Sequence, residues 1–269
     1  MALPAPAHDC TALVTGASSG IGAEIARELA RRGHGVTLLA RRADRLQALA
    51  DELTLLGVRA ETLDCDLADR SARAALPSRL DDLGLTVDVL VNNAGLSTVG
   101  PVAQADADAE LQMVEVDVAA VVDLCTRFVP GMVARRRGAV LNVASTASFQ
   151  PIPGQAGYGA AKAFVRSYTQ ALDTELRGTG VTASTLCPGP VETEFGDVAG
   201  FSLEETKAAM PEFMWESAAA VAKVGVDAMA SGTQVAVPGT ANRVAAMVAQ
   251  AAPKRLLLPL LARQHPGLK

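Results

Sequence analysis

The sequence predicts an α/β fold, a single domain built on a doubly wound parallel sheet with helices on both faces. Three observations carry this. Runs of strand character alternate with runs of helical period along nearly the whole chain. Apolar residues make up 49% of it and aromatics only 3%, so alanine, valine and leucine must fill the core, as in buried parallel strands covered by helices. A glycine-rich turn, Gly16-x3-Gly20-x-Gly22, follows the first strand-like run and opens the first helical one.

The elements follow in order. The first strand, 11–15, is the β-favouring apolar run from Thr11 to Val14. The first helix, 21–32, sets Ile21, Ile25 and Leu29 on one face and Glu24, Arg27, Glu28 and Arg31 on the other. Strand 35–40 ends in Leu38-Leu39-Ala40 and precedes helix 43–56. Strand 58–64 leads to helix 69–82, and strand 87–92 to a long helix over 106–136. Strand 138–144 leads to helix 156–178, and strand 180–186 to helix 217–231. Strand 233–237 and helix 240–251 close the domain, which spans 11–251 between a flexible lead-in (1–10) and a tail (252–269). Right-handed crossovers are expected throughout.

In such a sheet, ligands bind beyond the carboxyl ends of the strands, where strand order reverses. Each motif falls there: the glycine turn, Arg41, Asp66, Asn92-Asn93-Ala94-Gly95, Ser145 and Pro188-Gly189 follow strands one to six in turn. Gly16 allows the tight turn. Gly20 and Gly22 let the backbone approach a pyrophosphate and let the helix pack on the sheet. The free amides of the helix start favour the anion, which makes Gly16, Ser18, Ser19, Gly20, Ile21 and Gly22 candidate cofactor residues.

Tyr158 and Lys162 stand four apart, one turn along a helix face. A phenol titrates near ~10. A neighbouring cation favours the phenolate and turns the phenol into a proton shuttle useful near neutrality. Ser145 could hold a carbonyl or alcohol oxygen in front of it. After strand two, Ala40 stands where an acid would hold the ribose hydroxyls of NAD(H), and Arg41 and Arg42 follow. A guanidinium matches phosphate geometry, so NADP(H) is expected over NAD(H). The plainer reading is that both arginines solvate the next helix.

These motifs, in this order and spacing, resemble the short-chain dehydrogenase/reductases from about residue 11 to 240. The resemblance implies a Rossmann-type fold, NAD(P)(H) as hydride carrier, and reduction of a carbonyl or oxidation of an alcohol. It implies that Asp66 and Leu67 contact the adenine and that Asn93, Ala94 and Gly95 line the adenosine side. Pro188, Gly189, Val191 and Thr193 would flank the nicotinamide, and Lys162 would also bond its ribose. Support of the strand-four turn is an equally good reading of the asparagine run. The resemblance makes 194–216 a substrate lid. There Phe195, Phe201, Met210, Phe213, Met214 and Trp215 would suit a hydrophobic ketone or secondary alcohol, or simply pack the lid onto the body. One position departs from the family: Asp117 stands where an asparagine is usual. It either joins the catalytic set through Lys162 or only braces a helix bend, and both readings stay open. Homodimers and homotetramers are common in the family.

Other function classes recede. A net charge of −5 without a basic tract argues against nucleic acid. The scattered Cys10, Cys65, Cys125 and Cys187 suggest neither a metal site nor a disulfide framework, and point to reduced thiols in the cytoplasm. The N-terminal residues lack the apolar core of a signal peptide. The apolar tail around Leu256 to Leu261 reads as subunit or lid packing rather than a membrane contact. A non-catalytic dinucleotide-binding sensor or scaffold is the alternative class; loss of Tyr158 or Lys162 would be its mark, and both are present.

Overall fold

Seven parallel strands form one sheet in the order β3-β2-β1-β4-β5-β6-β7 in the computed structural model, which describes residues 3–195, 210–264 and 266–268. The strands are β1 Cys10–Thr15, β2 Val36–Ala40, β3 Ala60–Asp64, β4 Thr86–Asn92, β5 Gly138–Val143, β6 Val181–Leu186 and β7 Val235–Ala236. The helices between them are α1 Gly20–Arg31, α2 Ala43–Thr54, α3 Arg70–Asp82, α4 Ala107–Val114, α5 Ala120–Arg135, α6 Ala156–Glu175 and α7 Ala218–Ser231. The chain runs outward from β1 through β2 to β3, then returns to lay β4 on the other side of β1. That reversal opens a crevice above the carboxyl ends of β1 and β4.

Successive strand residues serve opposite faces, because side chains alternate across a pleated strand. Val14 and Leu38 pack under α1, α2 and α7 with Ile25, Leu46 and Val226. Leu13 and Leu39, one residue away, pack under α3, α5 and α6 with Leu76, Leu124 and Val165. Every residue of β2 and β5 is buried. Both faces of the sheet are therefore covered, as the aliphatic composition requires.

The long helix expected over 106–136 is not continuous α-helix. Asp106 caps α4, accepting from the amides of Asp108 and Ala109, and α4 passes through a π-helical turn, Glu115–Ala119, into α5. Such turns interrupt α-helices frequently at functional sites. This one carries Asp117, which is fully buried.

Residues 3–9, read from the sequence as a flexible lead-in, make contacts: Leu3 packs on the core, Asp9 O accepts from Thr86 N, and Arg137 bonds Ala5 O. The tail contains a helix, α9 Lys254–Gln264, after α8 Thr240–Ala251. The stretch 196–209 of the expected lid, with Phe201, lies outside the described residues. Among the described residues, no helix is long and apolar enough to cross a membrane, and no cluster of His, Cys, Asp and Glu could hold a metal ion.

Candidate active site

A cavity of about 530 Å³ opens above the carboxyl ends of the strands. Its volume lies within the range of small-molecule sites. At one end the glycine turn forms the wall. Gly16 and Gly20 take φ of +65° and +56°, the left-handed region that glycine enters freely. The turn is braced from β4: Asn93 Nδ2 donates to Thr15 O at 3.0 Å, and Thr15 Oγ1 accepts from the amides of Asn93 and Ala94. Gly22 does not line the cavity. A Cβ there would stand 2.4 Å from Gly16 O and from Asn93 Nδ2, so its smallness serves the packing of α1 against the turn.

Ser19 begins α1 without capping it through its side chain, which leaves the first-turn amides of the helix for another anion. The Ser18 and Ser19 hydroxyls instead accept from Arg42 Nη2 at 2.9 and 2.8 Å. Arg42, rather than Arg41, thus makes the contacts at this rim. Arg41 lines the same rim and is exposed. Glu194 spans Arg42 and Arg45 at 2.9 and 2.7 Å, which lowers its carboxyl to about 2 through hydrogen bonds from Arg45 and then Arg42. Asp66 and Leu67 line the wall beyond β3, where Asp66 Oδ1 accepts from Ala68 N. The residues present therefore fit a dinucleotide: an uncapped helix start for the pyrophosphate, and an arginine–serine rim for a further phosphate.

Ser145, Tyr158 and Lys162 meet at the other end of the cavity. Ser145 begins a 3-10 turn beyond β5, and its Oγ accepts from Ala147 N at 3.1 Å. One turn along α6, Lys162 Nζ lies 5.6 Å from the Tyr158 ring centroid and 2.9 Å from Asp117 Oδ2. Leu96 N donates to the other carboxylate oxygen at 2.7 Å. Gly95 lets the backbone approach this pair, since a Cβ there would lie 3.0 Å from Lys162 Nζ.

Burial pushes the Tyr158 phenol above its ordinary value, and Asp117 and Cys187 add to the rise; Lys162 and Ser145 pull the other way without reversing it. Lys162 does lower the phenol, as expected from its place on the helix, but burial outweighs it and the net shift is upward. Burial lowers Lys162, but Asp117 and Tyr158 outweigh it and the ammonium is held charged. Burial raises Asp117, opposed by Lys162 and the Leu96 amide.

Pro188, Gly189, Val191 and Thr193 line the wall beyond β6. Thr146 N donates to Pro188 O at 2.8 Å, tying this turn to that of Ser145. The ends of the expected lid are pinned: Val191 pairs with Glu216, Glu216 N donates to Pro190 O, and Asn242 of α8 donates to Met214 O at 2.9 Å. Phe195, Met210 and Trp215 line the mouth, with the Phe195 ring 5.9 Å from that of Tyr158. Phe213 is exposed and does not line it. The sequence reading missed Gln150, Ile152, Gln155 and Glu194 in the wall, and Asn242 beside it. Position between Ser145 and Tyr158 could have flagged the first three; no motif marks the others.

Comparison with known proteins agrees with this geometry. Residues 10–200 match the family model described as short chain dehydrogenase. A short chain dehydrogenase of Pseudocercospora fijiensis is 38% identical over 189 residues, 69% of this chain and 61% of that protein. The NADP-dependent 3-hydroxy acid dehydrogenase YdfG of Salmonella typhi is 39% identical over 219 residues, 76% of this chain and 86% of its own. A short-chain dehydrogenase from Sphingobium yanoikuyae in complex with NADPH superposes with a TM-score of 0.78 at 33% identity, covering 88% of this chain and 91% of that one. With its reversed strand order, its braced glycine turn and its serine–tyrosine–lysine floor, the chain belongs to the short chain dehydrogenase family.

Proposed function

We propose that the chain is an NADP(H)-dependent oxidoreductase acting on a hydrophobic ketone or the matching secondary alcohol. The observation that carries the reading is the convergence of Ser145, Tyr158 and Lys162 in one cavity whose far rim holds Arg41, Arg42, Ser18 and Ser19. The names of the YdfG and Sphingobium relatives support the coenzyme. The glycine turn would hold the pyrophosphate, Asp66 and Leu67 the adenine, and Asn93, Ala94 and Gly95 the adenosine side. Pro188, Gly189, Val191 and Thr193 would flank the nicotinamide. When bound, the coenzyme supplies or accepts the hydride. Ser145 holds the substrate oxygen. Tyr158 gives that oxygen its proton in reduction and takes one back in oxidation, and Lys162 steadies the charge that forms on the phenol. Acid–base help of this kind is worth roughly 10²–10⁴ in rate. Phe195, Met210 and Trp215 make the substrate end apolar.

Exposed apolar side chains on neighbouring helices, among them Leu111, Val114 and Phe164, suit a homodimer or homotetramer. The four free thiols fit a cytoplasmic setting. The test is coenzyme consumption across a panel of ketones that differ in size and polarity. Preferential use of NADPH on apolar ketones supports the reading. No turnover on any ketone or alcohol, or equal efficiency with NADH, defeats it.

A further inference from the structure

Asp117 gives this site a charge balance that an asparagine would not. Its carboxylate and the Lys162 ammonium form a buried pair at 2.9 Å, with side chains 0% and 5% exposed. Leu96 N fixes the carboxylate from the other side at 2.7 Å. The π-helical turn Glu115–Ala119 brings it inward, and Gly95 leaves the room. We propose, resting on the functional reading above, that Asp117 is a positioning residue which neutralises the Lys162 ammonium, keeps Tyr158 in its proton-donating form and so suits the site to carbonyl reduction.

The net charge of this buried group depends on the residue at position 117. With aspartate, the group of Asp117, Lys162 and Tyr158 is neutral while the phenol keeps its proton and carries −1 after losing it. With asparagine the same loss would take the group from +1 to neutral. Net charge is costly where water is scarce, so the aspartate version holds the phenolic proton more tightly. In reduction the carbonyl oxygen takes that proton as its carbon takes a hydride from reduced nicotinamide, and the phenolate recovers a proton from water. A phenol that stays protonated serves this direction over a wider pH range; oxidation needs the phenolate.

The other groups around Tyr158 leave this balance in place. Beyond β6, the Cys187 thiol sits 3.8 Å from Ser148 Oγ and is pushed up to about 11 by burial, so it is neutral near pH 7; where it ionises it adds to the rise of the phenol, and it does so equally with aspartate or asparagine at position 117. Glu110 of α4 accepts from the Thr98 hydroxyl at 2.5 Å. Arg166, one turn beyond Lys162 on α6, lies over the Phe149 ring at 4.2 Å. The 3-10 turn presents the uncharged Ser145 and Ser148. Laid end to end, the 2.9 Å and 5.6 Å separations put the carboxylate within about 8.5 Å of the Tyr158 ring. At an effective dielectric near ~20, a unit charge at that range moves a titration by about one pH unit.

The experiment titrates the phenol by ultraviolet difference absorbance in the coenzyme-free protein, where no turnover is needed. The chain has two tyrosines, so subtracting the same titration of a Tyr158→Phe background isolates Tyr158. Asp117→Asn should lower the Tyr158 midpoint by about one unit, and Asp117→Glu, which restores the charge, should return it towards the native value. The alkaline limb of the reduction rate should move down with it. An unmoved or raised midpoint in Asp117→Asn overturns the proposal and leaves Asp117 a brace for the helix bend. Should Asp117→Asn fail to fold, Asp117→Ser makes the same test. Failure of the functional reading would show instead as absent turnover in the native protein, whatever the titration gives.

Discussion

Replacing Arg41 and Arg42 together by alanine should change which coenzyme is bound and leave the reacting end of the site intact. Arg42 holds the Ser18 and Ser19 hydroxyls at 2.9 and 2.8 Å, and Arg41 lines the same rim. A hydrogen bond to a charged group contributes about 1.5–3 kcal/mol. Two features place this case at the low end. The Arg42 side chain is 41% exposed, so water screens it, and Glu194 already occupies the guanidinium, so an incoming phosphate must displace a carboxylate. The pair together should contribute about 2 kcal/mol, or about thirtyfold in NADPH affinity. The single tryptophan, Trp215, lines the cavity, and quenching of its fluorescence gives Kd directly. NADPH should weaken by that factor while NADH, which lacks the 2′-phosphate, should move by no more than about twofold. The two single variants divide the effect between the arginines. An equal loss for both coenzymes, or no loss for either, would refute the assignment of this rim.

Two glycines test the packing of the site. A Cβ on Gly189 would land 2.4 Å from Asn242 Oδ1, so Gly189→Ala should cost about 1–3 kcal/mol in thermal unfolding. Adding Asn242→Ala should return part of that stability, and a double variant no better than the single would argue against this contact. A Cβ on Gly95 would lie 3.0 Å from Lys162 Nζ and 3.3 Å from Asp117 Oδ2, so Gly95→Ala should lower kcat about ten- to a hundredfold with an unchanged circular dichroism spectrum. Native turnover would show that the ion pair tolerates displacement.

The sheet was legible in the sequence because its signals are local. Strand runs, helical period and the φ > 0 glycines of the turn lie within a few residues of one another. Asn92 to Gly95, Ser145 and Pro188-Gly189 could be placed together because each ends a strand, and parallel topology brings strand ends to one edge. What escaped was tertiary. No residue type in 106–136 announces a π-helical turn; it exists alongside a buried carboxylate facing Lys162 and Leu96 N, which lie far away in sequence. The raised phenol escaped for the same reason, since neighbour spacing on α6 reveals Lys162 but not the burial that outweighs it. Arg42 rather than Arg41 holds the serine hydroxyls because the chain direction after β2 decides which guanidinium turns inward, and composition is blind to that. Asn242 carries no motif at all, yet it packs against Gly189 and holds Met214.

The most direct test is the rate of reduction of the best ketone in the panel by the native chain and by Tyr158→Phe, with NADPH binding followed in parallel by Trp215 quenching. Unchanged NADPH affinity with at least a ~10²-fold loss of kcat is the expected result. A variant that keeps more than about a tenth of native turnover would mean that the substrate proton comes from another group.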